Sequence, residues 1–166
     1  MSNELTTYTP QPSASLVEIR RDNARFPRLH SYPKDIAHRM MMALVLKANE
    51  LFGCKPEQGE VSQTAWDLYN ELMNDVEGLR TFNITFEEIG RAIKKAATGQ
   101  SVDFYGKVSF YYLYKCIMHY VKNDVMAANT QMLRLAETNK EQLYREKTQF
   151  ITGASARQML EHSQIK

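Results

Sequence analysis

No stretch of this chain approaches the roughly 18–20 apolar residues that a bilayer-spanning helix needs. The longest apolar runs, Met40–Leu46 and Phe110–Leu113, are far shorter, so no membrane partner is expected. The opening residues Met1–Thr9 have neither the basic start nor the apolar stretch of a secretory signal, and a cytoplasmic location follows as the expectation. Cysteine is scarce. Cys54 and Cys116 stand alone, outside any metal-binding or redox spacing, and read as reduced thiols. The seven glycines are scattered, and none builds a GxxxxGK or GxGxxG phosphate cradle.

Catalytic groupings are missing in the same way. His30, His38, His119 and His162 are never three or four apart, so no zinc-binding helix face forms. Cys116 and His119 share a helical spacing, but two ligands do not make a metal site. Glu87 and Glu88 are adjacent and do not face each other. Gly153-Ala154-Ser155-Ala156-Arg157 lacks the closing glycine of a nucleophile elbow, and no strand precedes it. No enzyme, metal or cofactor is expected.

What is present is helical periodicity. Apolar residues make up 43% and charged residues 24% of the 166 residues, enough for one packed domain. Residues 1–15 are Ser/Thr/Pro-rich and read as a disordered or extended arm. Residues 16–34 read as irregular chain or one short helix. A first long helix spans 34–52, with Ile36, Met40, Leu44, Ala48 and Leu51 on one face and Ala37, Met41, Val45 and Phe52 widening it. A second spans 61–78. A third opens on Thr85-Phe86-Glu87-Glu88, a capping box, and ends at Gly99. Ser109 caps a fourth, running to about 146, and Gly153 separates a short last helix at 154–162. No repeat and no hairpin signal appears. The fold class is therefore all-α: a compact domain of about four helices, with a long projecting C-terminal helix and an N-terminal arm. The division is 1–33 arm, 34–122 helical core and 123–166 extension.

Three features carry the functional expectations. The net charge is only +2, yet Arg20, Arg21, Arg25 and Arg28 cluster near Phe26, His30 and Tyr32. Cations beside stackable rings suit nucleic acid; a solvated surface or a partner-packing arm fits them too. Lys94, Lys95 and Lys107 add a second basic group around the 99–108 loop. Val125, Ala128, Met132 and Leu135 form an apolar stripe at coiled-coil spacing, covered either within the monomer or by a second copy. Nine methionines, three of them at 40–42, fit a plastic core or a plastic binding surface. The adjacent rings Phe104 and Tyr105 are either a plug in the core or an exposed recognition tip.

The segment Phe82–Lys122 resembles small helical proteins of Bacteroidetes phages and mobile elements. Phe86-Glu87-Glu88-Ile89, Ala97-Thr98-Gly99-Gln100 and Asp103-Phe104-Tyr105-Gly106-Lys107-Val108 carry the likeness. It implies a replication accessory in the manner of helicase loaders or replisome organisers, which together with the basic arm gives the expectation of protein and DNA binding, and it supplies no catalytic residues. The expected function is thus a non-enzymatic phage or mobile-element accessory. The alternative is a helical module that binds a host or phage protein without nucleic acid. A protein partner is expected on either reading, with a homo-oligomer as one form of it.

Overall fold

A computed structural model describes residues 14–57, 59–99 and 102–163, with side chains between 16 and 148. The helices are α1 (Ala14–Arg25), α2 (Lys34–Leu51), α3 (Glu60–Asn74), α4 (Phe86–Ala97), α5 (Phe110–Tyr120) and α6 (Met126–Ser163). Single 3-10 turns at Leu29–Ser31 and Thr81–Asn83 and a π-helical stretch at Val121–Val125 complete the order. Among the described residues there is no strand, only one isolated bridge between Arg28 and Thr85. The all-α class holds, with a long C-terminal helix.

The chain forms two compact units, one ending at Ala128 and one beginning at Asn129. In the first, α2 packs on α3 and α4, and α5 packs on α3 and α4. Met41, Val45, Leu68, Leu72, Ile89, Ile93, Leu113 and Ile117 are fully buried between these helices. Each such side chain contributes roughly 1.5–3 kcal/mol of burial free energy. The second unit is helix α6 from Asn129, on which Leu133, Leu143 and Tyr144 are exposed and Met132 and Leu135 are half-buried.

Local signals set several boundaries as expected. The Thr85 hydroxyl accepts from the Glu88 amide at 3.2 Å, and the Glu88 carboxylate accepts from the Thr85 amide at 2.8 Å. Two donors orphaned at the start of α4 are thereby satisfied. Ser109 accepts from the Tyr112 amide at 3.2 Å and starts α5. The two rings of the 99–108 loop part, one inward and one outward. Phe104 stacks on Phe52 and meets Tyr112 edge-on, while Tyr105 is 88% exposed.

Other expectations need correction. The 16–34 stretch takes its short-helix alternative, which starts at Ala14, inside the expected arm, and ends at Arg25 with Ile19 and Asp22 buried; the rest of the arm, 1–13, lies outside the described residues. Helix α3 stops at Asn74, short of 78, because Asp75 takes the left-handed conformation (φ 48°). Its carboxylate then accepts from the Arg80 and Thr81 amides at 2.9 and 3.0 Å. Val76, just past this stop, is exposed as a result. Helix α6 passes through Gly153 to Ser163, so no separate last helix forms. An interior glycine costs a helix only about 1 kcal/mol, too little to stop it. The first unit also extends past 122. Val121 and Ala128 are buried in its core and Val125 packs against it, and Lys95 holds Asp124 at 2.7 Å.

The buried face of α2 is narrower than its spacing predicts. Ala37, Met41, Val45 and Ala48 point inward, while Ile36 and Leu51 are exposed and Met40 and Leu44 half-buried. Met41 belongs to the core; Met40 and Met42 sit at its margin. The helix carries more apolar residues than one side can bury, and the surplus meets solvent. Both thiols are free: Cys54 is half-buried near the Phe52 and Gly106 carbonyls (3.7 Å each), and Cys116 is in the core.

Candidate partner-docking site

The surplus apolar face of α2 borders a groove. Its walls are Met40, Ala43, Leu44 and Leu51 of α2 and Phe86, Gly90 and Ile93 of α4, and its volume is about 530 Å³. Lys47, Arg91 and Lys94 lie along it, with Glu87 the one carboxylate among the lining residues. The lining side chains recur along both helices at spacings near 3.6 residues. Along the helix axes the lining runs roughly 12–16 Å, two to three turns.

Gly90 has no internal reason to be glycine. Its backbone is ordinary helix, and a Cβ placed there meets only Leu44 Cδ2, at 3.6 Å. Glycine inside a helix costs about 0.5–1 kcal/mol relative to alanine. Gly90→Ala is therefore expected to raise the unfolding free energy by roughly 0.4–1 kcal/mol, read from urea denaturation. A loss of stability would show that the position is tighter than its geometry implies.

Beside the groove lies a buried polar cluster. Arg91 forms an ion pair with Asp22 of α1, whose side chain is 5% exposed against 33% for Arg91. The partner of the capping hydroxyl, Glu88, is fully buried, and its second oxygen Oε1 has no hydrogen bond among the described residues. Tyr120 of α5 is buried too, and burial pushes its hydroxyl up to about 12. Burial likewise holds the Glu88 carboxyl above its ordinary 4.5, against the opposing pull of the Thr85 amide and Arg28. The folded chain therefore takes up this proton more readily than the unfolded one. Stability from Glu88 is full below about pH 4.5 and is lost as pH rises through the raised value. Subtracting the Glu88→Gln stability curve from that of the parent isolates this slope, since Asp35, Glu60 and Asp75, all held low, act in the opposite sense in both proteins. The difference is expected to fall with rising pH; a flat or rising difference contradicts the assignment.

The seven cations singled out in the sequence do not form one surface. Arg28 is consumed internally: it donates to the Asn23 side chain at 2.7 Å, the Asn83 carbonyl at 2.8 Å and the Asn23 carbonyl at 2.9 Å. Lys95 is paired with Asp124 and Lys107 with Glu60, each at 2.7 Å. Arg25 lies over the Phe26 ring at 5.8 Å. Arg20, Arg21 and Lys94 are exposed, with no side-chain partner among the described residues. No family model, curated protein or solved structure matches the chain.

The apolar stripe divides as well. Ala128 is in the core and Val125 packs against it, while Met132 and Leu135 belong to the second unit. Two members of the expected docking seam thus serve the monomer's own packing. Cys116 and His119 do not build a site: the thiol is core, and among the described residues no three His, Cys, Asp or Glu side chains converge as metal ligands. No helix among the described residues is long and apolar enough to cross a membrane. Spacing alone had not pointed to the groove. Its one trace in the sequence was the excess width of the apolar face of α2.

Proposed function

We propose that this protein is a non-enzymatic binding module that docks another protein in the groove between α2 and α4. One observation carries the reading: among the described residues, an apolar groove two to three turns long and edged by charge lies open between α2 and α4. An apolar groove between two helices is a surface that an amphipathic segment can fill. The resemblance of residues 82–122 to phage and mobile-element proteins supports an accessory role, because the groove's α4 wall lies within that segment. The half-buried methionine Met40 adds a flexible side chain able to adapt to a partner. Nucleic-acid contact remains a second activity of this module, resting on Arg20, Arg21 and Arg25 of α1, all exposed.

The test is affinity capture from a phage-infected host with the parent chain and with Gly90→Leu, whose side chain fills the groove. Prey lost with Gly90→Leu, while the variant keeps its helical signal, are groove partners. Equal capture by both chains refutes the groove as the docking site. Anisotropy of labelled oligonucleotides at low salt, where cation–phosphate contacts are strongest, tests the second activity. Unchanged binding after Arg20→Ala, Arg21→Ala and Arg25→Ala together removes α1 from it.

A further inference from the structure

We infer that the occupant of the α2/α4 groove is a short amphipathic helix that carries carboxylates along the edge of its apolar stripe. The inference rests on the docking reading above and specifies its partner. Shape selects the helix. The groove lies between two helices, and among the described residues there is no strand whose edge an extended peptide could join. Of the common peptide-recognition modes, a helix laid in a groove is the one this surface provides for. Gly90 removes one side chain from the floor, which lets a partner's backbone come close.

Charge selects the carboxylates. Lys94 is exposed with no partner among the described residues. Lys47 is held only by Glu50, at 2.8 Å and with both side chains more than half exposed. A surface pair of this kind is worth little, so Lys47 exchanges it readily for a partner's carboxylate. Arg91 is bound inward to Asp22, which leaves the two lysines to face the ligand. Against them stands only Glu87 among the lining residues. Lys47 lies on one wall and Lys94 on the other, so a helix seated between them meets a cation on each flank. Like charges brought against such a rim are penalised, and opposite ones speed encounter and fix register.

The experiment uses the full chain and two labelled, designed helical peptides of about fourteen residues. Both carry leucine at i, i+4, i+7 and i+11; one has glutamate at the flanking positions and the other lysine. By fluorescence anisotropy at low salt, the glutamate peptide is expected to bind at least about tenfold more tightly. Lys47→Glu with Lys94→Glu is expected to invert that order. Gly90→Leu is expected to abolish binding of the glutamate peptide, and Ala43→Trp, at an exposed position of the same groove, does so independently if Gly90→Leu fails to fold. Equal affinities, or an order unchanged by the double reversal, overturn the charge assignment and leave groove docking standing. Binding of neither peptide, or binding indifferent to both groove-filling variants, overturns the docking reading as well. Displacement of the glutamate peptide by equimolar laurate assigns the groove to a small anionic amphiphile and overturns both.

Discussion

Leu113→Ala is expected to lower the unfolding free energy by about 2–5 kcal/mol, the largest effect of any single truncation considered for this chain. Leu113 is on α5, which packs against both α3 and α4, and none of its surface reaches solvent. Removing its isobutyl group forfeits the transfer free energy of the lost atoms. It also leaves a cavity, because helices held on two sides close in only partly. Urea denaturation followed by far-UV circular dichroism measures the change. Leu133→Ala is the matched control. Leu133 is exposed in the second unit, and its truncation is expected to stay within about 0.5 kcal/mol. Similar losses for the two would contradict the core assignment.

Asp22→Ala is expected to cost roughly 2–3 kcal/mol. Removing one member of a fully buried ion pair costs about 3–5 kcal/mol, since the remaining charge is stranded. Here the figure is discounted because Arg91 keeps a third of its side chain in solvent. The loss is local in character. Asp22 and Ile19 are the buried side chains of α1, so amide exchange is expected to quicken in α1 before it quickens in α3 or α5. Adding Arg91→Met to Asp22→Ala removes the stranded guanidinium and is expected to restore part of the stability. Strict additivity of the two substitutions would show that the carboxylate and the guanidinium are not coupled.

The parts of this fold that could be read from sequence are those decided by neighbours along the chain. Thr85 and Glu88 are three residues apart, so their reciprocal cap is written in a four-residue window, and Ser109 caps α5 by the same local logic. Spacing also located α2, but it reports a period and not a phase. Ile36, Met40, Leu44 and Leu51 fit a helical stripe as well as Ala37, Met41, Val45 and Ala48 do. Which set faces inward depends on where α3 and α4 lie. Expecting both sets to be buried hides the groove, which Met40, Leu44 and Leu51 line. The internal pairing of two of the lysines is hidden in the sequence for a related reason. Lys95 and Lys107 look unopposed in sequence because Asp124 and Glu60, the acids that answer them, are distant along the chain. A left-handed Asp75 was equally out of reach, since its carboxylate is satisfied by amides beyond the turn it creates.

The two thiols give the molecule a built-in clock. A thiol reagent acts on the thiolate, and only where it can approach. Cys54 is half-buried at a loop and reacts from the native state. Cys116 is sealed in the core, and burial holds its proton more firmly than usual. Its alkylation therefore waits for α5 to part from its neighbours, an event rarer than the fraying of any surface segment. Mass spectrometry after timed exposure to iodoacetamide would resolve a fast first adduct and a slow second one. The interval between them times the opening of the first unit, with no probe engineered into the chain.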